Sequence, residues 1–210
     1  MIKLVFEDSK GKLSPFKSII EKSSESAIKA ISAKIPVDNV SIEFRVDPKG
    51  AIKHLGFGGY AWTKNKVIIP VDPDFPGLNK TLQSDLGRTI AHELYHVLQG
   101  YTFDKGGNNL LESLIHEGLS DHFEIEISGG KPQKWDLALD QKQLKEFRKK
   151  AEKEFDNREY HHQSWFFGEE GIPYWAGYSI GFDIVKKYFQ KHSDQKPSTV
   201  YKLVAKEFLI

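Results

Sequence analysis

Five consecutive residues, His92-Glu93-Leu94-Tyr95-His96, have the types and spacing for metal-assisted hydrolysis. A helix turns about 100° per residue, so positions four apart lie about 40° apart around its axis, one turn along. On a helix His92 and His96 therefore point the same way and can hold one ion through two imidazole nitrogens. Glu93, one step round, can take the proton of a water on that ion. The local pattern predicts the helix: Leu82, Leu86, Ile90, Leu94, Val97 and Leu98 fall in one arc, with the histidines beside it on a face of their own. Apart from Arg88 and Glu93, residues 88–98 carry no charge. A charged Glu in so apolar a run is costly without a partner or a task. The competing reading, a surface helix with two incidental histidines, leaves Glu93 unexplained.

A catalytic zinc site takes three protein ligands and keeps a position for water. The extended pattern HExxHxxGxxH is excluded, because Gln99 and Thr102 stand where it needs Gly and His. A Glu from a second helix is the other common solution, and the stretch ESLIHEGLSDHF, Glu112 to Phe123, supplies one. There Glu117 and Asp121 stand at i, i+4. Glu117 completes the ligand set, and Asp121 is placed to accept a hydrogen bond from the far nitrogen of a ligand histidine, His92, fixing its tautomer. His116, Glu112 and Glu124 are rival third ligands. His116 lies about 100° from Glu117 around the axis, so the two cannot face one ion equally. His122 reads as packed or solvent-facing. Gly100 suits a left-handed cap after the first helix, 101–108 reads as a loop, and Asn109 with Glu112 reads as a capping box opening the second. The loop is short enough to fold the second helix back beside the first.

HELYH followed by HEGLSD on a second helix resembles the gluzincin group of zinc metallopeptidases, whose best-known fold is thermolysin-like. The wider pattern resembles a bacterial family of predicted zinc-dependent proteases of undefined substrate. It is carried by Gly58-Gly59-Tyr60, the TIAHELYH and HEGLSD helices, and Tyr174-Trp-Ala-Gly-Tyr178-Ser-Ile-Gly181, within residues 56–190. The resemblance implies a peptidase with one zinc ion on His92, His96 and Glu117, and Glu93 as general base. It implies an extended peptide bound by strand addition at a sheet edge, with Gly58, Gly59 and Tyr60 as the binding residues and Gly56, Gly58 and Gly59 letting the substrate backbone approach closely; an ordinary Gly-rich turn is the plain alternative. It also implies a Tyr or His that stabilises the oxyanion. Tyr178 is the choice, on a helix whose Gly177 and Gly181 have close-packing spacing; a buried, hydrogen-bonded tyrosine is the alternative. His161 and His162 read as a solvated pair, and Trp165-Phe166-Phe167 as core.

The 210 residues suit one domain, with an upper lobe over about 1–99 and a lower lobe over about 100–210. Thirty basic against 29 acidic residues, net +1, favour neither nucleic acid nor an anionic membrane as partner. With no cysteine, a zinc site must be built from His and carboxylates. No apolar run is long enough to span a membrane, and MIKLVFEDSKGK lacks the apolar core of a signal peptide, so the expected compartment is the cytoplasm. The sequence does not fix an oligomeric state.

Alternation predicts strands at Ile2-Leu4-Phe6 and Val40-Ile42-Phe44-Val46 and a strand region over 59–71. Helices are predicted from Ser14-Pro15 to Pro36, over 136–156 with Leu137, Leu144, Phe147, Ala151 and Phe155 inward, and over 174–190 and 198–208. Strands first and helices later give an α+β class. With the resemblance this is a zincin-like layout, a small twisted sheet over the metal helix and a mainly helical C-terminal lobe. A second function class is a peptide-binding or chaperone-associated module that keeps zinc with little turnover. Intact Glu93 weighs against it, since a structural site is more often closed by four protein ligands.

Overall fold

The computed structural model describes residues 1–210, which divide into two compact units, Met1–Lys105 and Gly106–Ile210. It is an α+β protein with four strands and eight α-helices. In the first unit, β1 (Lys3–Glu7), β2 (Ser41–Val46), β3 (Tyr60–Thr63) and β4 (Lys66–Val71) form one mixed sheet in the order β1-β2-β4-β3. The first three in that order run parallel, and β3 is antiparallel to β4 on the outer edge. Parallel neighbours need a crossover, and α1 (Lys17–Ser32) supplies the one between β1 and β2. A single 3₁₀ turn at Ser14–Phe16 precedes α1, and Ile20, Ala27 and Ile31 are its buried stripe.

Strict alternation in β2 predicts a half-buried strand, yet Glu43 on its polar side is buried as well. Arg45 and Lys66 reach it at 2.7 and 2.9 Å. Burial works against its charge, but the two cations outweigh it and hold the carboxyl below its ordinary range.

The apolar stripe read as continuous from Leu82 to Leu98 is divided between two helices, α2 (Leu78–Ser84) and α3 (Leu86–Gln99). Asp85, at φ −122°, breaks them. The HExxH residues sit in α3, which packs on α1 and ends at Gly100 with φ +72°.

In the second unit, α4 (Leu110–Ser128) opens with the predicted capping box, Asn109 and Glu112 exchanging two 2.8 Å bonds. It packs along α7 (Ala176–Lys191). Gly118 and Gly181 make the contact possible: a Cβ on Gly118 would fall 2.4 Å from the Gly181 carbonyl, and one on Gly181 2.0 Å from the Leu114 oxygen. The helix expected over 136–156 is α5 (Gln141–Glu152) alone. Asp140 caps it, accepting from Gln143 N–H at 2.8 Å, which pins the start five residues late. The preceding turn reverses the expected pattern, leaving Leu137 63% exposed and Asp136 3% exposed. Two short helices, α6 (His162–Phe167) and α8 (Pro197–Val200), flank α7, and the expected terminal helix is α8 followed by a 3₁₀ turn at Ala205–Phe208. No helix is long and apolar enough to cross a membrane.

Candidate metal centre

On α3, His92 and His96 bring their Nε2 atoms to 2.9 Å of each other, with the rings nearly perpendicular. Two nitrogens about 2.0–2.1 Å from a tetrahedral zinc would lie roughly 3.3 Å apart, so a small splaying of the rings accommodates an ion. His96 is buried, its ring 4.9 Å from that of Tyr101. Glu93 is 6% exposed. Gly59, one residue before β3, lies against it: a Cβ on Gly59 would meet Glu93 Cγ at 2.8 Å, Glu93 Oε1 at 2.9 Å and Thr89 Cγ2 at 2.7 Å. The sheet edge thus passes directly over the carboxylate of the HExxH motif, and a side chain at that point would have to displace Thr89 or Glu93. Gly58 donates to Pro70 O at 3.0 Å, which keeps the segment in register with β4.

In the second unit, α4 carries a buried polar stripe along an otherwise apolar helix. Ser113, Glu117, Ser120, Asp121 and Glu124 are each 7% exposed or less. Three carboxylates on one buried face are of the type a divalent cation takes, and burying carboxylates is costly unless they are paired. Asp121 Oδ1 accepts from Trp135 Nε1 at 3.1 Å. Asp136, next along, accepts from Gln133 N–H at 2.6 Å. Burial, then the charge of Asp121, push the Asp136 carboxyl up to about 10, so it carries its proton at neutral pH. The charge logic of the stripe therefore extends to a residue that the sequence hides, because a lone Asp in a predicted charged helix gives no signal of burial.

Gly177-Tyr178-Ser179-Ile180-Gly181 also spells G-x-S-x-G. A nucleophile elbow places its serine at an exposed strand-to-helix turn. Ser179 is instead buried within α7, donating to Trp135 O at 2.8 Å and accepting from Ala138 and Leu139 N–H at 3.0 and 3.3 Å. Its task is to tie down the turn that carries Trp135 and Asp136. Tyr178 beside it is half-buried, its ring 5.1 Å from Phe166 and 6.5 Å from Trp135. Gly177 packs on Phe166, while Gly181 alone meets α4.

His162 is exposed, as expected, yet it is also held in place. Its ring stacks on Phe166 at 4.4 Å, and its Nδ1 lies 3.0 Å from Tyr160 Oη. The same hydroxyl donates to Ser113 Oγ at 2.6 Å, on the polar stripe of α4. Burial raises the Tyr160 pKa; the Ser113 bond opposes this and the nearby charge of Glu117 adds to it. Burial also depresses the His162 pKa, against the pull of Glu117. Tyr160 thus keeps its proton, and both groups sit within electrostatic reach of Glu117. The sequence signal for them was the motif Tyr-His-His before an aromatic run, legible only once α4 is known to face it. Trp165 and Phe166 are core, whereas Phe167 is partly exposed. His122 is packed, stacking on Phe182 at 4.1 Å.

His, Glu and Asp side chains thus supply candidate metal ligands: His92 and His96 in the first unit, and Glu117, Asp121 and Glu124 in the second. The model of a family described as predicted Zn-dependent protease (DUF2268) matches residues 17–210. The chain belongs to that family. Its name suggests a zinc-dependent protease and a peptide substrate, and the His and carboxylate donors are of the types such a metal takes. No curated protein and no solved structure matches the chain significantly.

Proposed function

We propose that the chain is a gluzincin-type zinc peptidase with a zincin-like arrangement, in which His92, His96 and Glu117 hold one zinc ion. The observation that carries this reading is local to the first unit: two Nε2 atoms 2.9 Å apart on one helix face, with the intervening Glu93 directly under a side-chain-free point of a sheet edge. Glu117 is preferred to Asp121 as third ligand because Asp121 already accepts from Trp135 and faces protonated Asp136. In this reading Asp121 holds a ligand histidine, His92, in its working tautomer.

Bound zinc supplies Lewis-acid polarisation of the scissile carbonyl and lowers the pKa of attacking water. The chain's own residues do the rest. The Glu93 carboxylate takes the water proton and delivers it to the leaving nitrogen. Gly58, Gly59 and Tyr60 present backbone groups to an extended substrate, fixing the carbonyl over Glu93. A hydroxyl stabilises the developing oxyanion: Tyr178 by its place in the family pattern, or Tyr160 by its place beside Glu117.

Metal analysis with a Glu93→Gln variant tests the reading. Purified protein should bind zinc one to one and lose hydrolysis on chelation. Glu93→Gln should retain zinc and lose turnover. A wild-type protein that takes up no zinc at saturating concentration, or a Glu93→Gln variant that still cleaves at the wild-type rate, overturns it.

A further inference from the structure

Beyond the residues over Glu93, the first unit exposes three aromatic rings beside the same edge. Trp62 stacks on Phe103 at 4.8 Å with the planes 19° apart, and Tyr60 meets both rings at 6.1 and 6.4 Å. Trp62 is 38% exposed and Phe103 70%. Leaving such a cluster in water forfeits its burial energy, and clustered exposed aromatics mark recognition surfaces.

The backbone says what kind of partner fits. Gly58 and Tyr60 are in register with β4, through Gly58 N–H to Pro70 O and the Tyr60–Ile68 pair. Antiparallel alternation then turns the backbone groups of Gly59 and Ala61 outward. Downstream the edge is already occupied, since Phe103 N–H donates to Ala61 O at 2.8 Å and Asp104 N–H to Trp62 O at 3.2 Å. Upstream, at Gly59, it is open. An added strand therefore pairs at Gly59 and runs up against Phe103. Side chains alternate too: Gly59 and buried Ala61 face α3, while Tyr60 and Trp62 face the other way. A substrate residue paired at Gly59 points toward Glu93, and its neighbour points into the ring cluster.

We propose that Tyr60, Trp62 and Phe103 form a selectivity subsite for one aromatic or large aliphatic side chain of an extended peptide, adjacent to the residue that lies over Glu93. The inference rests on the peptidase reading only for which substrate residue is nearest cleavage; the subsite itself stands on the edge and the rings.

Fluorescence anisotropy with labelled, blocked hexapeptides tests it. The peptides are scanned so that each position in turn carries Phe, Leu, Ser or Glu, and Glu93→Gln protein is used so that nothing is cleaved. At one position Phe and Leu should bind about tenfold more tightly than Ser and Glu, the scale of burying one apolar side chain. In a Trp62→Ala, Phe103→Ala double variant that ratio should fall toward one. Phe103→Ser alone, on a solvent-exposed loop, should lower it partway and guards against a folding defect in the double variant. A ratio unchanged in the folded double or single variant, or no apolar preference at any position, overturns the subsite. Preference in binding without any cleavage by the wild type overturns the peptidase reading and leaves the subsite standing. Cleavage by the wild type with no dependence on the rings does the reverse.

Discussion

Replacing Asp136 by Asn should stabilise the metal-free protein at neutral pH and leave it nearly unchanged in acid. Asp136 is 3% exposed, and its carboxyl is raised from 3.8 to about 10, first by burial and then by Asp121. The folded state keeps a proton that the unfolded chain releases once the pH passes the ordinary carboxyl range. A group raised in this way contributes its stability in full below the unfolded pKa and loses it as pH climbs toward the folded one. Each pH unit inside that window costs slightly more than about 1 kcal/mol, so the upper limit at pH 7 is roughly 4 kcal/mol. Asparagine reproduces the bonding pattern of the protonated acid. Its oxygen accepts from Gln133 N–H, where Asp136 now accepts at 2.6 Å, and its amide donates toward Asp121. It has no proton to lose on unfolding.

The assay is urea denaturation of chelator-treated wild type and Asp136→Asn from pH 5 to pH 8, read by tryptophan fluorescence. Chelation keeps an added cation from changing the charge beside Asp121. The difference in unfolding free energy should grow with pH in favour of the variant. A difference that is flat with pH, or one that favours the wild type more strongly as pH rises, refutes the protonated Asp136.

Four further outcomes are expected. Glu93→Gln should lower kcat/KM by about 10²–10⁴-fold while zinc content measured by atomic emission stays at the wild-type level. Gly59→Ala should lower kcat about tenfold or more through displacement of Glu93, because the added methyl would fall 2.7–2.9 Å from Thr89 and Glu93 atoms; unchanged kcat would mean the edge does not sit over the carboxylate. Gly181→Ala should lower Tm by several degrees, an overpacking cost of about 1–3 kcal/mol, since its Cβ would reach 2.0 Å from the Leu114 oxygen. Of Tyr160→Phe and Tyr178→Phe, the variant that removes the oxyanion donor should lose about 10²-fold in kcat with little change in KM, and the other should stay within a fewfold of wild type.

Much of the helix that carries HExxH was legible because it obeys one period over four turns and ends on a glycine that can take positive φ. The capping box at Asn109 and Glu112 was equally readable, being a local bond between residues three apart. What escaped were features set by distant partners. The break at Asp85 does not disturb the apolar stripe, so periodicity alone joins α2 to α3. Glu43 reads as a solvent residue until Lys66 is known to lie across the sheet. Leu137 and Asp136 exchange their expected places because Asp140 caps α5 and Ser179, from α7, binds the turn before it. Tyr160 looks like a loop residue until its hydroxyl is seen to donate to Ser113 Oγ, with His162 Nδ1 beside it. The parallel pairing of β1 with β2 leaves no mark on two short strands that alternate like antiparallel ones, whereas β4, with Val67-Ile68-Ile69-Pro70-Val71, is the unbroken apolar run of a strand buried on both faces.

The glycine inside HEGLSD shows how packing and chemistry are joined on α4. Gly118 lies about 100° round the helix from Glu117 and about 60° from Asp121, and its lack of a side chain lets α7 approach until backbone meets backbone. Such a contact resists rotation of α4 about its own axis, because turning either helix drives a carbonyl into the other. Side-chain tips about 5–6 Å from a helix axis move about 1 Å for every 10° of rotation, and a misplacement of about 1 Å at a reacting centre can cost 10²-fold in rate. The seam beside the stripe therefore holds Glu117 and Asp121 at one angle about the axis of α4. Two glycines provide it, where larger apolar residues would pack well at several angles.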